Sequence, residues 1–210
     1  MKIIAFMNEK GGSGKTTSAT NMAVNLHRRG FRVVLVDADP QATARDWRAA
    51  SPEKSNLPNV IALDRPQMLS VIPTLAADYV IIDTPAKAAD MAAAVIRVAH
   101  TVLIVIQPSG ADIWACAPTA KMIQARLDIG GNVDAAFLVN RAKPNTKLSK
   151  LVEGGKWNEY TMQQLSSVLG DRVAYAEALT YGVSVYDTPN ADAQKDVDAV
   201  VAELETARWL

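Results

Sequence analysis

The stretch that decides the fold is Lys10-Gly11-Gly12-Ser13-Gly14-Lys15-Thr16-Thr17, near the start of the 210-residue chain. The apolar run Lys2–Met7 before it is typical of a buried strand. After it, apolar residues at three- and four-residue spacing predict a helix over Thr16–Arg29 that Gly30 ends. Glycines let main-chain N–H groups converge on phosphate oxygens, and the N-terminus of the helix adds a partial positive charge. A strand, a glycine-rich loop and a helix in this order predict a phosphate-binding loop.

The side chains of this loop suit a nucleotide phosphate chain with its metal ion. Lys15 can bridge the terminal phosphates, and the hydroxyl of Thr16 is placed to bind Mg²⁺. The usual pattern G-x-x-x-x-G-K-[ST] would begin with glycine at position 9, where this chain has Glu9 with Lys10 beside it. The loop therefore carries a second cation at its entrance.

Apolar runs alternate with helical patterns along the chain, as expected of parallel strands joined by crossover helices. Several runs are continuously apolar, and their C-terminal ends carry polar residues. The predicted strands are Lys2–Met7, Arg32–Asp37, Val60–Leu63, Tyr79–Asp83, Thr101–Ile106, Ala135–Asn140 and Arg172–Tyr175. We expect a single-domain α/β fold over residues 1–210, with a mostly parallel twisted sheet of about seven strands and helices on both faces.

The composition excludes several classes of protein. There are 22 basic and 22 acidic residues, so no global basic field indicates nucleic acid. The single cysteine, Cys116, can make no internal disulfide and cannot alone build a zinc or iron–sulfur site. No apolar run approaches the roughly 18 to 20 residues of a membrane span, and no secretory signal pattern is present. We therefore expect a cytoplasmic protein.

The loop from Lys10 to Thr16 matches the pattern K-G-G-x-G-K-[ST], and here the chain resembles the deviant Walker A ATPases, most of all the ParA partition ATPases. Three more segments support the resemblance: Val36–Gln41 (V-D-A-D-P-Q), the Walker B strand Tyr79–Pro85, and Arg172–Val185. It implies a P-loop NTPase with ATP and Mg²⁺ as cofactors. The implied nucleotide contacts are Lys10, Gly11, Gly12, Ser13, Gly14, Lys15, Thr16 and Thr17.

The resemblance also implies catalytic roles for Lys10, Lys15 and Asp39. In the family, the lysine matched by Lys10 reaches across a nucleotide-sandwiched homodimer to the partner's phosphates. A second cation there can stabilise charge on the transferred phosphoryl group, as an arginine finger does. Asp39 matches the residue that orients the attacking water.

Metal and base contacts follow from the same resemblance. Thr16, Asp37 and Asp83 match positions that hold Mg²⁺, the two carboxylates mainly through its water shell. The alternative for an aspartate at the end of the second strand is ordinary loop capping. Asn140, followed by Arg141, matches the position that reads adenine in the family, and an amide can donate and accept at a base edge.

The implied function is a weak, partner-stimulated ATPase for plasmid or chromosome partition. The ATP-bound dimer would hold DNA non-specifically on the nucleoid, and a centromere-binding or cargo adaptor protein would supply specificity. A local basic excess could contact the phosphates, although a solvated helical face is the alternative. Its residues are Arg141, Lys143, Lys147, Lys150 and Lys156, with Arg172 a further candidate.

Three other functions remain open. The cargo could be a protein assembly instead of DNA. A MinD-like membrane cycle would need a basic amphipathic C-terminal helix, but the predicted last helix, Asp192–Leu210, has an acidic outer face. Its apolar side, with Val197, Val200, Val201 and Leu204, should dock on the domain. A small-molecule ATP-dependent enzyme on the same fold is the third alternative, and it has no obvious use for Lys10.

Overall fold

The computed structural model describes residues 1–144, 146, 147, 160 and 162–210. A seven-stranded sheet runs through the chain, and all its neighbouring strands pair in parallel. The strands are β1 (Lys2–Met7), β2 (Val33–Asp37), β3 (Asn59–Ala62), β4 (Tyr79–Asp83), β5 (Thr101–Ile106), β6 (Asp134–Ala142) and β7 (Gln163–Gly170). Their order across the sheet is β3-β2-β4-β1-β5-β6-β7, which puts β1 at the centre.

Helices cover both faces of this sheet. Those of the described residues are α1 (Lys15–Arg28), α2 (Thr43–Ala49), α3 (Ala89–Val98), α4 (Gly110–Ala115), α5 (Ala117–Asp128), α6 (Val173–Thr180) and α7 (Ala191–Thr206), with 3₁₀ segments at Pro66–Thr74 and Val185–Asp187. On β1, Ile4 and Phe6 pack in the core beneath α1 and α7, whereas Ile3, Ala5 and Met7 pack in the core beneath α3 and α5. Burial on both faces explains the continuously apolar strand, and the predicted α/β fold class is confirmed.

The first and last helices match their predicted cores, with small differences at the ends. Helix α1 begins and ends one residue earlier than predicted, and Gly30 follows it with a φ of 91°, in the left-handed region that favours glycine. Helix α7 ends at Thr206, four residues before the predicted end. Its predicted apolar side is buried against the domain: Val197, Val200, Val201 and Leu204.

The predicted seventh strand at Arg172–Tyr175 is wrong. Arg172 is the N-cap of α6, where Ala174, Tyr175 and Ala178 are buried at helical spacing. The seventh strand is β7, at the edge of the sheet, where it alternates between buried and more exposed residues. An edge strand needs few apolar residues, so the sequence Q-Q-L-S-S-V-L-G gave no strong signal.

The topology gathers the functional loops at one edge of the sheet. Because all strands are parallel, the loops that leave their carboxyl ends lie side by side, and the loop after β1 is at the centre. Asp37 and Asp83, the last residues of β2 and β4, are register partners. Within the described residues, no helix is long and apolar enough to cross a bilayer. The one-domain interpretation of residues 1–210 stays a prediction.

Candidate nucleotide-binding site

The glycine-rich loop takes the backbone conformation that a phosphate cradle requires. Gly12 and Gly14 have φ values of 75° and 102°. Gly14 is the N-cap of α1, so the helix N-terminus opens directly onto the loop. A Cβ on Gly14 would overlap the side-chain amide of Asn140, so no other residue fits there without displacing Asn140.

Carboxamide side chains from three neighbouring strand ends hold the loop in place. Asn8 accepts a hydrogen bond from the N–H of Lys10 at 2.9 Å and donates to the carbonyl of Val105 at 2.7 Å. Gln107, after β5, donates to the carbonyl of Gly12 at 2.6 Å. Asn140, on β6, donates to the carbonyl of Ser13 at 2.8 Å. The peptide planes of the loop are therefore fixed from outside it.

Sequence reasoning identified only one of these three carboxamides. It singled out Asn140 as a base contact and missed Asn8 and Gln107. The available signal was a polar side chain at the carboxyl end of β1 and another directly after β5, where parallel strands place their functional groups.

Lys15 is buried within the loop. Its side chain belongs to a residue that is only 7% exposed, and its ammonium donates to the main-chain oxygen of Lys10 at 3.2 Å. Burial lowers the pKa of Lys15, while the charges of Asp83 and Asp39 oppose that shift. A phosphate oxygen would supply the anionic partner that this desolvated cation lacks within hydrogen-bonding distance.

Asp83 and Thr16 meet beside Lys15. The hydroxyl of Thr16 donates to Oδ2 of Asp83 at 2.6 Å. Asp83 is 1% exposed, and its Oδ1 has no hydrogen-bond partner in the described residues. Burial raises the pKa of Asp83 to about 7; the hydrogen bond from Thr16 opposes the shift and the charge of Asp37 adds to it.

These groups fit Mg²⁺ bound as a nucleotide complex. A hydroxyl and an orphaned carboxylate oxygen can take one metal position and one contact through water, while phosphates and water fill the rest. No group of three or more His, Cys, Asp or Glu side chains in the described part of the chain is arranged to hold a metal ion. Thr16 and Asp83 would therefore hold Mg²⁺ together with the phosphates. Their assignment to the metal stays a prediction.

We expect Asp83→Asn to stabilise the nucleotide-free chain and to abolish Mg²⁺-dependent turnover. Because the pKa of Asp83 is raised to about 7, its contribution to stability is fully present below the ordinary value of 3.8 and is lost as the pH rises through about 7. At pH 8 the variant should gain up to about 4 kcal/mol, since one pKa unit corresponds to about 1.4 kcal/mol. The gain should be smaller at pH 5.

Thermal unfolding in EDTA at pH 5 and pH 8 measures this difference. Glu53→Gln, which removes an exposed carboxylate, is the control and should behave like the wild type at both pH values. An Asp83→Asn variant that is equally destabilised at pH 5 and pH 8 would contradict the desolvation account.

Asp37 and Asp39 organise the loop between β2 and α2. Asp37 is fully buried; its Oδ1 accepts from the N–H of Asp39 at 3.0 Å, and its Oδ2 accepts from the N–H of Arg45 at 3.0 Å. Asp39 accepts from the N–H of Gln41 at 2.9 Å. Both aspartates therefore cap the loop. The metal contact of Asp37 and the water-orienting role of Asp39 stay predictions.

The second lysine of the loop binds a different element. The ammonium of Lys10 lies 2.5 Å from Oδ2 of Asp112 on α4. Asp112 is completely buried, and the hydroxyl of Ser109 also donates to its Oδ2, at 2.5 Å. The Lys10 side chain stays 38% exposed. Sequence analysis missed Asp112, because its partner is 102 residues away in the chain.

Asn140 and Arg141 border a cavity beside the loop. The cavity lies between Gly14, Thr17 and the turn from β7 to α6, where Asp171 also lines it. Arg141 is exposed and has a φ of 52°, which is uncommon for a residue with a side chain. The structure therefore brings both predicted base contacts to the edge of the phosphate loop, and adenine recognition itself stays a prediction.

The predicted DNA contacts are in different situations. Lys143 forms an ion pair with Asp171 at 3.0 Å. Arg172 binds Asp196 of α7 through Nε at 2.7 Å and Nη2 at 3.1 Å, so its charge is already matched within the chain. Lys147 is exposed. Lys150 and Lys156 lie outside the described residues.

Comparison with known proteins agrees with this geometry. Residues 4–185 match the CobQ/CobB/MinD/ParA nucleotide binding domain family. The maintenance of carboxysome distribution protein A of Halothiobacillus neapolitanus is 30% identical over 188 residues, which cover 87% of this chain and 86% of that protein. A shorter match, 61% identical over 41 residues, joins 20% of this chain to 16% of the chromosome-partitioning ATPase Soj of Thermus thermophilus.

A solved structure shares the fold as well. The ATP complex of McdA from Cyanothece has a TM-score of 0.75 to this chain at 19% identity, covering 98% of this chain and 96% of that one. The resemblance first indicated by the glycine-rich loop is thus confirmed over most of the chain. With its phosphate loop, its sheet order and its matched residues, this chain belongs to the CobQ/CobB/MinD/ParA family of nucleotide-binding domains.

Proposed function

We propose that the chain is a Mg²⁺-dependent ATPase that acts as a molecular switch. ATP joins two copies into a homodimer, the dimer holds DNA non-specifically, and hydrolysis to ADP and phosphate releases it. An adaptor protein stimulates a weak intrinsic turnover and connects the switch to its cargo on the nucleoid. The family, the cradle around Lys15 and the pair formed by Thr16 and Asp83 support this proposal.

The observation that carries the proposal is the different placement of the two loop lysines. Lys15 is buried inside the cradle, whereas the ammonium of Lys10 lies on α4 and stays partly exposed. A cation that its own cradle does not use is available for the phosphates of a second copy. There it would stabilise charge that develops on the transferred phosphoryl group.

The cargo has two candidates. The match to Soj, which is named for chromosome partitioning, favours DNA as the cargo. The longer match to a protein named for carboxysome distribution favours a protein assembly. In both cases the proposed switch is the same, and only the adaptor differs.

A membrane cycle has less support, because the acids of α7 bind the body of the chain. Asp196 pairs with Arg172, and Glu205 pairs with Arg29. Glu203 accepts from two N–H groups of β7, at 2.8 and 2.7 Å. An anionic bilayer would repel this acidic helix, and insertion would cost these contacts.

A DNA-shift assay tests the proposed switch. A duplex of arbitrary sequence is titrated at fixed salt with the chain in ATP, in ADP and without nucleotide, and light scattering reports the oligomeric state in parallel. We expect dimers and DNA binding in ATP alone. Binding that is independent of nucleotide, or absent in all three conditions, would instead favour a membrane cycle or a small-molecule enzyme.

We expect the charge reversals Lys147→Glu and Lys150→Glu together to weaken DNA binding by the ATP-bound chain and to flatten its dependence on salt. Each lysine that leaves a phosphate reduces the slope of log affinity against log salt by about 1. The control reverses Lys54 and Lys121, which are exposed elsewhere and change the net charge equally. Equal losses in the two double variants would show a net-charge effect, and an unaffected first variant would place the DNA surface elsewhere.

A further inference from the structure

Arg45 joins the two aspartates of the β2–α2 loop to the end of β3. It lies on α2, and its guanidinium Nε donates to Oδ2 of the fully buried Asp37 at 3.2 Å. Its Nη2 donates to the main-chain oxygen of Asp39 at 3.0 Å and lies 3.6 Å from a carboxylate oxygen of Asp64. One side chain therefore contacts three acidic residues that come from two neighbouring strand ends.

These contacts fix the main chain of Asp39 on both sides. Its N–H donates to Asp37, and its carbonyl accepts from Arg45 and from the N–H of Ala42. With both peptide planes held, the direction in which the side chain leaves the main chain is set by the loop. The side chain of Asp39 adds only the local hydrogen bond from Gln41.

Arg45 also supplies the positive charge closest to the carboxylate of Asp37. Asp37 has no exposure to solvent, and the buried Asp83 is its register partner. Losing one member of a buried ion pair leaves an uncompensated charge, so the loop would move to expose or neutralise Asp37. Because Asp39 hangs from the same loop, it would move too.

We propose that Arg45 is a positioning residue for hydrolysis, which holds Asp39 where it can orient water. This inference rests on the proposed ATPase function. Arg45 does not touch the cradle of Lys15 in any described contact, so it acts through Asp37 and Asp39 and not on the nucleotide. Lysine cannot replace it fully, because one ammonium cannot present the planar fork that binds Asp37 and Asp39 together.

The test compares Arg45→Gln and Arg45→Lys with Arg48→Gln. Arg48 is on the same helix but bonds to Ser51, away from the loop. For Arg45→Gln we expect kcat to fall about 10- to 100-fold, because small misplacements of catalytic groups have effects of this size. The Kd for ATP should stay within about 2-fold, since the cradle is untouched. Arg45→Lys should recover part of the turnover, and Arg48→Gln should resemble the wild type.

Amide hydrogen exchange of residues 38–44, measured without nucleotide, gives a second readout. We expect exchange about 10-fold faster in Arg45→Gln and unchanged in Arg48→Gln, because loops that lose tertiary hydrogen bonds open more often. Unchanged exchange, or unchanged kcat in a folded Arg45→Gln chain, would overturn the inference. A wild-type chain without turnover would instead overturn the proposed function, and the catalytic part of this inference with it.

Discussion

ATP binding should weaken by about 100-fold when Lys15 is replaced by alanine, because a hydrogen bond to a charged group is worth about 1.5 to 3 kcal/mol and this one is buried. The ammonium of Lys15 is desolvated, and without a ligand its hydrogen bond goes to a main-chain oxygen of its own loop. Phosphate therefore offers a stronger partner than the one it has. Alanine removes that contact and leaves the glycines of the loop in place.

Isothermal titration with a non-hydrolysable ATP analogue and Mg²⁺ measures this loss. The matched control removes the other lysine of the loop, by Lys10→Ala combined with Asp112→Asn so that no buried charge is left without its partner. In dilute protein, where single copies dominate, the control should bind the analogue almost as the wild type does. Equal affinity of Lys15→Ala and wild type would contradict the cradle.

Turnover should fall about 100-fold or more in Asp39→Ala while ATP remains bound. A residue that orients the attacking water or accepts its proton contributes about 10² to 10⁴ in rate. The substitution removes one side-chain hydrogen bond, to Gln41, and leaves the loop held by Asp37 and Arg45. We therefore expect a folded chain that stays in its ATP-bound form.

Phosphate release under single-turnover conditions tests this expectation, with analogue affinity measured on the same sample. Asp39→Asn is the informative companion, because asparagine keeps an acceptor for the N–H of Gln41 but carries no charge. Its turnover should fall as far as that of the alanine variant. Normal turnover in Asp39→Ala would refute the water-orienting role, and normal turnover in Asp39→Asn would show that the carboxylate charge is not needed.

The phosphate loop and the sheet could be predicted because their signals are local. Residues 10–17 are contiguous, and their glycines, lysines and hydroxyls describe the cradle without reference to the rest of the chain. The central strands are buried on both faces and read as apolar runs. The edge strand β7 failed to show such a run, since one of its faces needs no apolar residues.

The groups that hold the loop could not be predicted, because they meet only in the folded chain. Asp112 is 102 residues from Lys10, and Gln107 is 95 residues from Gly12. Arg172 looked like a surface cation in the sequence, but it binds Asp196 on another helix. Periodicity reports burial along an element and carries no information about which distant side chain will meet it.

The ion pair between Lys10 and Asp112 has a consequence for association. If Lys10 leaves to reach a neighbour's phosphate, a completely buried carboxylate whose Oδ1 already lacks a partner is stranded, at a cost of about 3 to 5 kcal/mol. In a two-fold symmetric pair both copies undergo this exchange in one event. Two nucleotide-loaded copies must therefore attract each other by more than twice that amount before either abandons its solitary form, which makes pairing an all-or-none step with a sharp concentration threshold.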